Sequence, residues 1–254
     1  MRLATAILIL SLLGVCAPPG GAATLDKFRL LTFDQPPYIH VDANGLPQGA
    51  AVEMVREIFS RMHVAPEMRV YPLARAQALF AHGDAAGIFI MKRNPARQAL
   101  YAFSDQPLFT QEVVLFVRKD SMIGYTGDLR VLSGRSIGLL RGASYGEVFD
   151  AAVAGGMFSR LEYVAQDEWN FRKLMAGRID AVICGRQAGM AMLAKLGGSA
   201  SVLVAGRPLE LTGSYLMFRK GMVSDDFLRR LNRVMAAMRR DGTAGRIRSK
   251  YGVQ

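Results

Sequence analysis

Apolar residues recur along this chain in short continuous runs, separated by stretches in which they return at helical spacing. That is the pattern of strands alternating with covering helices. Residues 28–33 read as a strand, ended by Pro36 and Pro37, which lack the N–H a ladder needs. Asp42-Ala43-Asn44-Gly45 reads as a turn. Over residues 50–62, Val52, Val55, Ile58, Phe59 and Met62 share one helical face. A strand over 67–71, a helix over 73–81 and a strand over 87–91 follow. Residues 28–91 thus read β-α-β-α-β, which implies a parallel sheet with helices on it. The order repeats: strands over 112–117, 136–140, 160–164 and 181–184, a helix starting near Tyr145, another over 167–176 with Asp167 as its cap, and another over 187–196. Residues 202–205 and 214–218 read as two later strands. Residues 225–240 read as a long helix striped by Phe227, Leu228, Leu231, Val234, Met235 and Met238.

Length and composition add limits. The 254 residues, 51% of them hydrophobic, suffice for one or two domains with a sizeable core. Residues 1–23 read as a secretory signal: Arg2, a mostly apolar run over 3–15, and small residues at Gly21-Ala22-Ala23, with cleavage expected near Ala23. The run is too short for a spanning helix. Cleavage leaves Cys184 as the one cysteine, so no internal disulfide is expected. It removes Arg2, leaving 31 of the 32 Lys and Arg against 21 Asp and Glu, a net charge of +10. A basic balance suits nucleic acid, anionic membrane or small anions. Export and the scatter of the charges argue against nucleic acid.

The stretch from Gly87 to Asp105 carries the candidate chemistry. After the strand come Lys92, Arg93 and Asn94, then Pro95, suited to the first position of a helix. Arg97 then falls in the first helical turn, where the helix dipole disfavours a cation. An external anion resolves that conflict, since helix N–H groups and a forked guanidinium together make a carboxylate receptor. The alternative is a solvated run of surface charge.

At this point the order of motifs resembles the bacterial extracellular solute-binding proteins of polar amino-acid ABC transporters, family 3. The resemblance rests on Pro36-Pro37-Tyr38, Asp42-Ala43-Asn44-Gly45-Leu46-Pro47-Gln48-Gly49, Asn94-Pro95-Ala96-Arg97, Phe103-Ser104-Asp105, the stretch from Leu174 to Val182, Arg239-Arg240-Asp241-Gly242-Thr243 and Lys250-Tyr251-Gly252. It implies the type II periplasmic binding protein fold: two α/β lobes, each a mostly parallel sheet with flanking helices, joined by two hinge strands, with the ligand in the cleft between. Carried over, lobe one takes residues 25–110 and 208–254 and lobe two takes 111–207, with crossings near 107–111 and 205–208. The resemblance also implies that Arg97 grips a ligand carboxylate, that the turn Gly142-Ala143-Ser144-Tyr145 adds backbone donors, and that Tyr38 and Tyr71 set aromatics against the ligand. Ser144 reads equally as a helix N-cap, and either tyrosine as plain core.

The departures are informative. The family commonly has threonine where this chain has Lys92, and an aspartate that pairs with the ligand ammonium where it has Gly185, next to Arg186. Arg75 adds another candidate cation; Arg75 and Arg186 read equally as surface helix charges. If most of Arg75, Lys92, Arg97 and Arg186 face the cleft, the solute supplies negative charge, as a small carboxylate or other anion. Asp34 or Glu168 could still serve an ammonium. The expected function is capture of a small polar solute, without catalysis, by a periplasmic monomer that serves an inner-membrane permease. The alternatives are a dehydratase resembling the periplasmic cyclohexadienyl dehydratases and a ligand-sensing module. His40, His63, His82 and Cys184 offer no obvious catalytic pair, and no metal cluster, nucleophile triad or phosphate loop stands out, so no cofactor or metal is expected.

Overall fold

A computed structural model describes residues 28–253 of the chain. The signal segment and its cleavage point lie outside the described residues. Strand β1 (Arg29–Thr32) is followed by a short hairpin of two-residue strands, β2 (His40–Val41) and β3 (Pro47–Gln48). The hairpin closes on Asp42, whose Oδ1 accepts from the N–H groups of Asn44 and Leu46, both at 2.9 Å. Helix α1 (Ala50–Arg61), strand β4 (Glu67–Val70), helix α2 (Leu73–His82) and strand β5 (Gly87–Lys92) complete the first β-α-β-α-β unit. β1 lies between β4 and β5, parallel to both.

A short helix α3 (Pro95–Leu100) begins under Asn94, whose side chain caps the Arg97 N–H at 2.9 Å. Strand β6 (Tyr101–Phe103) leads to the long strand β7 (Phe109–Arg118). The second unit is β8 (Ser136–Leu140), α4 (Glu147–Ala154), β9 (Arg160–Val164), α5 (Asp167–Met175), β10 (Ala181–Gly185) and α6 (Arg186–Leu196). Strand β11 (Val202–Arg219) and helices α7 (Asp225–Arg240) and α8 (Thr243–Lys250) end the chain.

The main sheet is mixed, in the order β4-β1-β5-β11-β7-β10-β8-β9, with β6 also on β11. β8 is parallel to both β10 and β9, while β7 and β11 run antiparallel to their neighbours. β11 is one strand where two were expected. Its register on β7 slips between Ala205 and Glu210, and the Gly206-Arg207-Pro208 break in the apolar pattern falls in that slip. β11 pairs with β7 along its first part and with β5 at its end, so these two long strands link two separate cores.

The first core packs β1, β5 and the end of β11 against α1, α2, α7 and α8, around Leu30, Val55, Phe59, Phe89 and Phe218. The second surrounds β7, β8 and β10, whose two faces are both covered. Val113, Leu115 and Val117 point into one cluster, and Val114 and Phe116 into another on the opposite face. Alternation with both sides apolar explains why these strands read as unbroken hydrophobic runs.

Candidate functional site

The cleft between the two cores holds two adjoining chambers. The inner one, about 500 Å³ and open to solvent, is bounded on one wall by Ile90, Met91, Lys92 and Arg97, and on the other by Leu140, residues 143–145, Asp167, Cys184 and Gly185. Three consecutive residues of one strand cannot all face one way in a regular pleat. Here Ile90 adopts φ +64° and the ladder between β5 and β11 skips it, pairing Met91 with Tyr215 and Phe89 with Leu216, so the pleat is broken where the strand reaches the cleft. A β-branched residue in the left-handed region is strained, and the bulge it makes re-aims the end of β5 into the cleft.

Arg97 lies across the inner chamber. Its Nη1 donates to the Lys92 carbonyl at 2.8 Å and its Nη2 to the Gly142 carbonyl on the opposite wall at 3.1 Å. Two of its five N–H groups are thus engaged and three remain. Burial pulls its pKa down, opposed by the Asp150 carboxylate. Lys92 is more strongly perturbed: burial lowers its pKa to about 8, against the raising influence of Asp150, Cys184 and Glu210. Arg93, the next residue on, turns the other way, stacking over Tyr215 at 4.3 Å and donating to the Ser104 carbonyl.

The facing turn is fixed from within. Gly142 at φ +82° brings its carbonyl against Arg97 and against Gln77 Nε2 at 2.8 Å; a Cβ there would sit 2.5 Å from Gln77 Oε1. Asp150 accepts from the Ser144 hydroxyl and, at 2.9 Å, from the Tyr145 N–H. The Tyr145 hydroxyl accepts from the Leu140 N–H at 2.6 Å, and the Ala143 N–H donates to the Leu140 carbonyl. Of the backbone donors expected from this turn, those of Ala143 and Tyr145 are therefore already engaged. Those of Gly142 and Ser144 have no partner among the described residues. Ser144 does not cap α4 either: Gly146 holds that position, and the Glu210 carboxylate on β11 accepts from the N–H groups of Glu147 and Val148.

The second chamber, about 900 Å³, shares Phe33, Gln35, Leu73, Leu140 and Asp167 with the first and extends to Asp34, Tyr71, Glu168, Met192 and Lys195. Glu168 is held by Arg172 and Lys195, both at 2.8 Å, which lowers its pKa. Asp34 is raised chiefly by burial. Asp167 differs from the cap it was expected to be. Gln166 occupies the N-cap position, and Asp167 is the first residue of α5 with its carboxylate turned into the cleft. Its Oδ1 is enclosed without a partner, its Oδ2 meets only the Cys184 sulfur at 3.8 Å, and burial raises its pKa to about 6. Burial likewise pushes the Cys184 thiol well up, so it stays protonated.

Of the residues singled out in the sequence, Lys92, Arg97, Ser144 and Tyr145 meet in the inner chamber and Tyr71 lines the second. Arg75 stacks on Tyr71, 5.2 Å from the ring centre, and is outside both linings. Arg186 pairs with Glu112. Tyr38 is buried in the first core, edge-on to Phe109. Of the four candidate cations only Lys92 and Arg97 therefore line the cleft, in the chamber that Asp167 shares, while Lys195 lines the second chamber with Asp34 and Glu168. Sequence reasoning missed Asp167, Gln35 and Gln111; buried and unpartnered atoms of all three lie at the cleft. Packing does not demand Gly185: a Cβ there would meet Gln111 Oε1 at 3.7 Å, ordinary contact. Among the described residues no cluster of side chains could hold a metal ion, and no helix is long and apolar enough to cross a membrane.

The model of the bacterial extracellular solute-binding proteins, family 3, matches residues 30–254. The L-cystine-binding protein TcyJ of Escherichia coli (strain K12) is 24% identical over 223 residues, covering 85% of this chain and 78% of that protein. Among solved structures, an ancestral arginine-binding protein bound to arginine superposes with a TM-score of 0.76 at 23% identity, covering 88% of this chain and 97% of that one. A histidine kinase sensor domain similar to periplasmic binding proteins superposes at 0.77, also at 23% identity, covering 87% and 94%. These structural likenesses establish a shared fold.

Proposed function

The chain belongs to the bacterial extracellular solute-binding proteins, family 3, and from that premise we propose that it captures a small α-amino acid in the interlobe cleft, with the solute carboxylate on Arg97 and Lys92. The observation that carries this reading is the pairing of a guanidinium with three unused N–H groups and a desolvated ammonium on one cleft wall. Buried cations without a counter-charge are costly, and a carboxylate supplies one with short, charge-assisted hydrogen bonds. An all-anionic solute fits less well than the sequence suggested, because Asp167 stands in the same chamber. Lobe one, residues 25–110 and 208–254, closes on lobe two, residues 111–207, by bending of β7 and β11. After removal of the signal near Ala23, the periplasmic monomer delivers its solute to an inner-membrane ABC permease. The similarity to the L-cystine-binding protein supports the solute class.

The binding is proposed to be non-catalytic. Of the residues the sequence offered for catalysis, His40, His63 and His82 are exposed and outside both chamber linings, and the Cys184 thiol stays protonated; the titratable groups that do line the inner chamber, Lys92 and Asp167, are read as partners for the solute's own charges. Melting-temperature shifts against the twenty L-amino acids, L-cystine and small organic acids test the reading. A solute present at one hundred times its Kd adds about 2.7 kcal/mol of stability. At least one amino acid is expected to raise the melting temperature of the wild type and to leave Arg97→Ala unmoved. Turnover of prephenate with release of water and carbon dioxide would instead establish a dehydratase.

A further inference from the structure

We infer that Asp167 is the receptor for the ammonium group of the bound amino acid, and so the residue that turns the solute's side chain into the second chamber. The inference rests on the carboxylate reading of Arg97 and Lys92. Asp167 lines both chambers and stands where they meet. Its Oδ1 is enclosed and has no partner, and its Oδ2 has only a weak sulfur contact. The basic side chains of α5 and α6 are taken: Arg172 and Lys195 by Glu168, Lys173 by Glu162 and Arg186 by Glu112. A buried carboxylate with no cation beside it is an expensive group to keep, and burial raises its pKa to about 6. An ammonium arriving with the solute removes that cost. With the carboxylate on the Lys92 and Arg97 wall and the ammonium on Asp167, the remaining direction for the side chain is the second chamber, past Leu73 and Leu140 toward Tyr71 and Met192.

Calorimetric titration of wild type and Asp167→Asn tests this. The probes are the L-amino acid with the largest thermal shift among the twenty and L-cystine, and its des-amino counterpart, in which hydrogen replaces the ammonium. A hydrogen bond to a charged group corresponds to about 10- to 100-fold in affinity. Wild type is expected to prefer the amino acid by about that factor. Asp167→Asn is expected to lose about that factor for the amino acid while binding the des-amino compound within about two-fold of wild type. Asp167→Ser serves as a second variant with the same expectation should Asp167→Asn not fold. Equal loss for both compounds, or no loss for either, would overturn the role of Asp167 and leave the carboxylate reading intact. A panel in which no amino acid binds would overturn both.

Discussion

Lys92 is the residue at which charge, burial and function meet most sharply. Its folded pKa, about 8, lies below that of an exposed lysine, so between pH 8 and roughly 10.5 the unfolded chain binds the proton that the folded one has lost. Ligand-free stability is therefore expected to rise with pH through that window at this site, the sign opposite to that of a salt-bridged lysine. Solute binding runs the other way. A carboxylate needs the charged ammonium, so affinity is expected to fall as pH rises from 7 to 9.5. The charged groups that act on Lys92 are Arg97, Asp150 and Glu210, with the Cys184 thiol beside them. Lys92→Met removes the titration and is expected to bind more weakly at pH 7 with a flatter pH profile; an unchanged slope in calorimetry would show that another group titrates. Asp167 has the reverse linkage: its raised pKa makes ligand-free folding less favourable as pH rises from about 4 to about 6.

At the scale of elements, the facing wall depends on a cap supplied from far along the chain. Glu210 on β11 accepts from two N–H groups at the start of α4, whose own N-cap, Gly146, has no side chain to do so. Glu210→Ala is expected to cost about 1 kcal/mol, as loss of a helix cap does, and to lower the melting temperature by about 2–4 °C in a chain of this size. An unchanged melting temperature would mean that water replaces the cap. Such long-range support is what the sequence could not disclose. The repeating β-α units were legible because each strand and helix carries its own period, and Lys92 and Arg97 were legible because they follow a strand and open a helix. The bulge at Ile90 was not, since the run from Gly87 to Met91 is apolar throughout and gives no alternation to break. Asp167 was not, because an aspartate before a helical pattern reads as a cap, and only the fold turns its carboxylate inward. β11 was divided in two by Gly206-Arg207-Pro208, and α8, mostly polar, carries too few apolar residues to announce itself.

Over the whole molecule, one carbonyl holds the two halves together at the cleft: Gly142 O accepts from Gln77 on α2 and from Arg97 on α3. Both contacts are single hydrogen bonds near solvent, weak enough to open without a solute. Small-angle scattering is therefore expected to show a smaller radius of gyration for wild type with its amino acid than without, and no such compaction for Arg97→Ala; identical curves would mean a cleft that does not hinge. The central claim is that the Arg97 guanidinium holds the carboxylate of the captured solute. Calorimetric titration of wild type and Arg97→Ala with the amino acid that stabilises wild type most tests it directly. Loss of about 100-fold or more in affinity is expected, as for a charge-assisted contact at a buried site, whereas equal affinity in the two proteins would contradict the account.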